Sequence, residues 1–144
     1  MRGYFAIGIY HTKTEINVGT LWRGAYLYEA AFIFTIGRRY KKESSDTQKT
    51  WRNTPLFNLR DYEEFKRFIP FDCQVIGIEQ GGELLATFKH PERCIYLLGA
   101  EDHGLPPEVL AKMQRIVSIE TVKPQSMNVA SAGLIVMHDR LVKS

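Results

Sequence analysis

The chain is poor in cysteine and has no long apolar run. Only Cys73 and Cys94 are present among 144 residues, too few for the disulfide framework of a small secreted protein. Neither has a Cys or His nearby at the spacing of a zinc site, so no metal is expected. No run of about 18 apolar residues occurs, which argues against a membrane-spanning helix. Reduced cysteines, and a strand that begins at Tyr4 without room for a signal peptide, predict a cytoplasmic location.

Net charge is low, but the basic residues are concentrated. The formal net charge is only +3, so the total does not identify a partner. Residues 38–42 form a compact basic run around Tyr40, and Lys49, Trp51 and Arg52 follow. Basic side chains interleaved with aromatic ones suit phosphates and stacked bases, although a solvated surface loop would have the same composition. The candidate nucleic-acid contacts are Arg38, Arg39, Lys41, Lys42 and Arg52.

Strand-like and helix-like segments alternate along the chain. Buried strands are predicted over residues 4–10, 32–36, 74–78, 95–98 and 115–119. Helices are predicted over residues 18–31, 61–68, 106–113 and 128–142, with a polar loop over 41–53. The alternation predicts one α/β domain over residues 1–144, built on a parallel sheet that is covered on both faces.

Two polar turns follow predicted strands. Residues 98–105 (Leu-Gly-Ala-Glu-Asp-His-Gly-Leu) leave the fourth strand as a glycine-flanked turn with acid at its centre. Residues 126–130 (Ser-Met-Asn-Val-Ala) form a turn that opens the last helix. Glycine lets backbone approach a ligand closely, and a helix start offers free N–H groups. Two such turns at the ends of neighbouring strands predict a small-molecule cleft.

These turns resemble motifs two and three of the SpoU (TrmH-like) RNA ribose methyltransferases of the SPOUT superfamily. Asn17, Gly19 and Arg23 resemble motif one of the same family. The three segments occur in the family's order, and the resemblance covers most of the chain. Met127 and Ala130 stand where the family usually has leucine and serine, changes that bear on the substrate more than on the cofactor.

The resemblance implies a SPOUT fold with a C-terminal trefoil knot, a homodimer, and methyl transfer from S-adenosylmethionine to a ribose 2′-hydroxyl of tRNA or rRNA. No metal is implied, because methyl transfer from a sulfonium is already favourable. The implied catalytic residues are Asn17, Arg23, Glu101, Ser126 and Asn128. The implied cofactor-binding residues, which offer backbone and apolar contacts, are Ile78, Glu79, Gly99, Ile119 and Met127.

Arg23 is the central catalytic residue that the resemblance implies. It lies among apolar residues, where a guanidinium needs a carboxylate or phosphate partner, and Glu101 is the natural candidate. Because the reference pKa of arginine is about 12.5 or above, we expect Arg23 to hold phosphate and orient the 2′-oxygen, with base action as the alternative. Asn17 either orients Arg23 or caps the first helix, and Ser126 and Asn128 either face the ribose or cap the last helix.

The last predicted helix bears on assembly. The helix is apolar over so wide an arc that one small domain would not bury all of it, which favours a homodimer. Along this helix lie Val129, Ala132, Gly133, Val136, Met137 and Arg140.

Two other functions stay open. One is a non-catalytic RNA- or cofactor-binding module on the same fold, and the other is a base methyltransferase of the wider superfamily. A Rossmann nucleotide-binding enzyme is discounted, because residues 10–14 after the first strand contain no glycine.

Overall fold

The structure, a computed structural model, describes residues 3–12, 14–37, 53–100 and 104–144. Six strands and four helices alternate along these ranges. In chain order they are β1 (Tyr4–Tyr10), α1 (Glu15–Leu27), β2 (Ile33–Ile36), β3 (Leu56–Leu59), α2 (Tyr62–Phe68), β4 (Gln74–Leu84), β5 (Arg93–Leu98), α3 (Pro107–Leu110), β6 (Arg115–Ser118) and α4 (Val129–Lys143). Within these ranges, no helix combines the length and the apolarity that crossing a bilayer requires.

The strands form one sheet in the order β3-β2-β1-β5-β4-β6. Every pairing is parallel, so all carboxyl ends lie at the same edge. Leu98 of β5 stands in register with Ile9 of β1 on one side and with Ile78 of β4 on the other. Three strands therefore reach the carboxyl edge at one level. The α/β class and the parallel sheet are confirmed, while the trefoil knot stays a prediction.

Side chains alternate between two cores, because successive residues of a strand point to opposite faces. On one face, α1 and α4 cover a core that draws alternate residues from three strands: Phe5, Ile7 and Ile9 from β1, Ile76 and Ile78 from β4, Cys94, Tyr96 and Leu98 from β5. On the other face, α2 and α3 cover a second core that includes Phe34, Phe65, Ile95 and Leu97. Helices on both faces explain why the central strands read as continuous apolar runs.

Two predicted boundaries were wrong for local reasons. Helix α1 covers residues 15–27 and not 18–31, because Thr14 caps it: the Thr14 hydroxyl accepts a hydrogen bond from the Asn17 N–H at 3.4 Å. The helix ends at Leu27, six residues before β2 begins at Ile33, and Glu29 between them takes a left-handed conformation with φ 60°. Strand β3 was missed because it is a short edge strand with two exposed central residues, so it lacks an apolar pattern.

The third predicted strand was too short, and the predicted helix over 106–113 was too long. Strand β4 continues past residue 78 to Leu84 through an irregularity in its pairing with β6, which resumes at Glu83 and Leu84. The Gly81-Gly82 pair inside this extension has the composition of a turn, which hid the strand. Helix α3 has only four residues. The last helix is confirmed to within one residue, with Asn128 as its N-cap.

A buried chain of hydrogen bonds fixes the end of α4 at the amino edge of the sheet. Arg140 donates to the Tyr96 hydroxyl at 3.0 Å, which leaves the Tyr96 O–H to donate to His90 Nδ1 at 2.6 Å. His90 Nε2–H then donates to Asp139 at 2.7 Å. Burial lowers the pKa of His90 more than the Asp139 carboxylate raises it. Partial burial raises the pKa of Asp139, but hydrogen bonds from Lys143 and His90 outweigh it, so that pKa is lowered.

We predict that His90 makes the protein less stable as the pH falls below neutrality. Since folding lowers the pKa of His90, the unfolded chain takes up the proton first, near the ordinary value of about 6.5. The free energy of unfolding should therefore fall as pH decreases through this range, by at most about 1.4 kcal/mol per pH unit for this one proton. Urea titrations from pH 7.5 to 5 on the wild type and His90→Gln measure both slopes. Equal slopes in the two proteins would contradict the assignment.

Candidate functional site

A cleft of about 750 Å³ opens at the carboxyl edge of the sheet. Its walls come from the ends of β4, β5 and β6, from the segment 119–127, and from the first turn of α4. Leu98 and Val129 are buried at its base, and Ile119 and Met127 are half-buried at its sides. The volume suits a ligand of nucleoside size, and the mixture of apolar side chains with backbone ends is typical of cofactor pockets.

The structure brings all five predicted cofactor-binding residues to this one cleft. Ile78 and Glu79 lie on β4 where its pairing with β5 stops, Gly99 follows β5, Ile119 follows β6, and Met127 precedes α4. The segments are far apart in sequence and meet because parallel strands share one carboxyl edge. Apolar side chains and the backbone of segments that follow strands lie together there, so this arrangement can hold a ligand with apolar rings and polar edges.

Asn17 and Asn128 join the first motif to the third. Asn128 Nδ2 donates to Asn17 Oδ1 at 3.0 Å, across 111 residues of sequence. Asn128 Oδ1 accepts from the Ser131 N–H at 3.1 Å. Because capping commits the oxygen of Asn128 to α4, its amide nitrogen must face Asn17. Of the alternatives for Asn17, the helix cap is wrong, since Thr14 caps α1. Asn128 caps α4 and lies between Met127 and Val129, which line the cleft.

Arg23 is exposed on α1, six residues after Asn17, and not in an apolar surrounding as its sequence neighbours suggest. The apolar neighbours Leu21, Trp22 and Ala25 point into the core, whereas Arg23 lies on the exposed side of the helix. In the described part of the chain, no carboxylate forms an ion pair with Arg23. An exposed guanidinium beside the cleft is suited to an external phosphate.

Ser126 lies on the rim of the cleft, exposed, two residues before the N-cap of α4. It is therefore not the helix cap.

Several predicted residues lie outside the described ranges. Glu101, the expected partner of Arg23, is one of them. The others are the candidate RNA contacts Arg38, Arg39, Lys41, Lys42 and Arg52. Their roles stay predictions. Within the ranges that are described, no three His, Cys, Asp or Glu side chains stand together as a metal site.

Sequence reasoning missed two parts of the cleft. Leu84 lines it because β4 is longer than predicted, and Ala132 lines it from the second turn of α4. Glu120, another lining residue that sequence reasoning missed, accepts a hydrogen bond from the Ala86 N–H at 2.9 Å and so fixes the segment after β6. Only the register of β4 against β6 could have revealed these contacts, and an apolar pattern does not encode that register.

Comparison with known proteins identifies a family and a fold. The model of the SpoU rRNA Methylase family matches residues 4–138. A search of curated protein sequences finds no match to the chain. Among solved structures, one described as giving insights into the 2-OH methylation of C/U34 on tRNA has a TM-score of 0.84 and 22% identity, over 99% of this chain and 97% of that chain.

Two longer proteins have the same fold and were solved with AdoMet. The AdoMet-bound rRNA methyltransferase from Sinorhizobium meliloti has a TM-score of 0.85 and 22% identity, covering 97% of this chain and 56% of that chain. The SpoU methyltransferase AviRb from Streptomyces viridochromogenes, in complex with AdoMet, has a TM-score of 0.88 and 16% identity, with coverage of 97% and 57%. At these identities the likeness shows the fold, and this chain spans little more than half of either protein.

We predict that the two roles of Asn128 are separable by stability measurements. Asn128→Ala removes the cap and the bond to Asn17, and should lower the free energy of unfolding by about 1–3 kcal/mol. Asn128→Ser retains a good cap but cannot reach Asn17, so it should lose only part of that stability. Urea unfolding followed by circular dichroism measures both. Equal losses in the two variants would show that the cap contributes nothing, and no loss in Asn128→Ser would show the same for the bond to Asn17.

Proposed function

This chain belongs to the SpoU rRNA Methylase family, and we propose that it transfers a methyl group from S-adenosylmethionine to a ribose 2′-hydroxyl of tRNA or rRNA. The observation that carries the proposal is the hydrogen bond between Asn17 and Asn128, which joins motif one to motif three. Met127 and Val129, the chain neighbours of Asn128, line the cleft. A structural neighbour described for 2-OH methylation of tRNA, similar over nearly the whole length of both chains, supports the choice of the hydroxyl acceptor.

The cofactor is S-adenosylmethionine, as the sequence analysis expects. The neighbours from Sinorhizobium meliloti and Streptomyces viridochromogenes hold AdoMet in this fold. The residues of this chain fit that ligand, since apolar side chains and the backbone of the segments after β5 and β6 surround a cleft of about 750 Å³. When bound, S-adenosylmethionine supplies a methyl group on a sulfonium, which requires no metal to activate it.

Three residues of α1 and α4 are proposed to position the RNA. Asn17 and Asn128 hold each other, so α1 and the start of α4 keep a fixed distance at the point where the ribose would lie. Arg23, exposed on α1, would bind the adjacent phosphate and orient the 2′-oxygen. This role uses the charged guanidinium, so it avoids the cost of deprotonating arginine. Correct positioning of the attacking oxygen is itself a large part of the rate enhancement.

The basic run at 38–42, with Arg52, is proposed to bind the RNA backbone. It follows β2, whose carboxyl end lies at the same edge of the sheet as the cleft. Lys and Arg contacts to phosphate give affinity without choosing a sequence, so the same residues would serve tRNA or rRNA.

We predict that Arg23→Ala lowers methyl transfer by at least about a hundredfold, while S-adenosylmethionine still binds. The reason is that Arg23 lies on α1, outside the set of residues that line the cleft. Arg23→Lys should rescue poorly, because an ammonium lacks the forked planar donor geometry. Tritiated methyl incorporation into bulk tRNA and rRNA measures the activity, and calorimetry measures the binding.

Arg67→Ala, which removes an exposed arginine from α2 on the opposite face of the sheet, is the matched control and should stay active. Selective recovery of Arg23→Lys at raised pH would instead assign Arg23 the role of base. Full activity of Arg23→Ala would refute both roles.

We also propose a homodimer, on different grounds from those of the sequence analysis. The arc of α4 that was expected to seek a partner is buried against α1 and the sheet of its own chain. The unpaired apolar surface is the outer face of the two helices. It includes Ile16 and Leu27 of α1, which are 77% and 69% exposed, and Ile135 and Val142 of α4. Such a surface is typical of a protein interface.

Light scattering at micromolar concentration should give about twice the 16.6 kDa of one chain. Ile135→Lys places a charge on the outer face of α4 and should shift the protein toward the monomer. Phe71→Lys changes an exposed aromatic residue between α2 and β4, away from these helices, and should leave the mass unchanged. A wild-type monomer in moderate salt would exclude the dimer.

A further inference from the structure

The Glu79 carboxylate, although it lines the cleft, is engaged by the backbone of its own chain. Glu79 Oε2 accepts a hydrogen bond from the Leu105 N–H at 2.7 Å. Glu79 Oε1 accepts from the Gln80 N–H at 3.0 Å. Leu105 is only 4% exposed, so its N–H depends on a protein partner. Hydrogen bonds to an ionised acceptor are about twice as strong as those between neutral groups.

Glu79 stands where the pairing of β4 with β5 stops. The last paired residues of the two strands are Ile78 and Leu98. Beyond them, no further pairing joins β4 to β5 within the described residues. The Glu79 side chain reaches from β4 to Leu105, which follows the turn after β5.

The two ends of the turn after β5 are closely packed. The Gly104 N–H donates to the Ala100 carbonyl at 3.0 Å, and the two residues form an antiparallel bridge. Gly104 has φ +63°, and a Cβ there would collide with the Glu79 carboxylate. A Cβ on Gly99 would collide with the backbone of Gly104. Glu79 therefore contacts a turn whose ends already hold each other, and all four residues line the cleft.

We propose that Glu79 is a positioning residue. It sets the width of the cofactor cleft by tying the turn after β5 to the point on β4 where the pairing of these two strands stops. The inference rests on the proposed function. It differs from the implied backbone role of Glu79, because the side chain here acts on Gly104 and Leu105 and not on the ligand. Loss of the carboxylate would leave the Leu105 N–H without its acceptor and would release one wall of the cleft.

Three substitutions separate the effect of the length of the Glu79 side chain from the effect of its charge. Glu79→Ala removes the acceptor, and Glu79→Asp keeps the charge but is one methylene too short to reach Leu105. Glu79→Gln keeps the length and one acceptor oxygen. Glu83→Ala is the matched control, because Glu83 lies on the same strand, pairs with Arg115 at 2.6 Å and does not line the cleft. Thermal melting of each variant establishes that it is folded.

The probes are S-adenosylmethionine, S-adenosylhomocysteine and a 2′,3′-dideoxyribose analogue of S-adenosylhomocysteine, each titrated by calorimetry. Glu79→Ala and Glu79→Asp should bind all three about tenfold more weakly. Glu79→Gln should stay within about threefold of the wild type, and Glu83→Ala should match it. A loss confined to the two ligands with ribose hydroxyls would overturn the proposal in favour of direct ribose binding. A loss confined to S-adenosylmethionine, with Glu79→Asp unaffected, would overturn it in favour of attraction to the sulfonium charge.

Amide hydrogen exchange of the ligand-free protein tests the same bond independently of the cofactor. The Leu105 N–H should exchange slowly in the wild type and in Glu79→Gln, and faster in Glu79→Ala and Glu79→Asp. Unchanged protection of Leu105 in Glu79→Ala would refute the positioning role. If the wild type binds none of the three ligands, the proposed function fails, and the exchange measurement alone then decides the role of Glu79.

Discussion

Parallel pairing around β5 is the constraint on which the rest of the structure depends. Leu98 is in register with Ile9 on one side and Ile78 on the other, and Ile78 is in register with Val117 of β6. These four residues stand at one level of the sheet, and the residues that follow Ile78, Leu98 and Val117 line one cleft. The hydrogen bonds that fix this register lie in the buried core, so the walls of the cleft inherit the rigidity of the sheet.

Helix α4 carries this rigidity from one edge of the sheet to the other. At its start, Asn128 caps the helix and holds Asn17. At its end, Arg140 binds the Tyr96 hydroxyl, and Lys143 donates to the Phe88 carbonyl at 3.0 Å. Both ends of α4 are therefore tied to parts of the chain that precede it by 40 residues or more in the sequence. A shift of the helix would break polar contacts at both edges, which favours a single position of the active-site turn.

The central strands could be predicted from the sequence, because a strand of a parallel sheet that is buried on both faces reads as a continuous apolar run. Asn128 could also be predicted as a candidate cap of α4, since it directly precedes a helical pattern. The convergence of the cleft residues followed from the rule that parallel strands share one carboxyl edge.

Other features depend on tertiary contacts that leave no local pattern. Strand β3 exists because it pairs with β2, where Thr35 donates to Asn58 at 2.7 Å, and not because its own sequence favours a strand. The extension of β4 passes through Gly81 and Gly82, which locally predict a turn. The hydrogen bond from the Leu105 N–H to the Glu79 side chain joins two residues that are 26 positions apart. No rule of sequence spacing predicts that contact.

The central claim is that this cleft directs a methyl group to a ribose 2′-hydroxyl. Its most direct test is mass spectrometry of nucleosides, from tRNA and rRNA incubated with the purified protein and S-adenosylmethionine labelled on the methyl group. The account predicts the label in a nucleoside methylated on its ribose, which loses an unmethylated base on fragmentation. Label on the base, or no labelled nucleoside in either RNA, would contradict it.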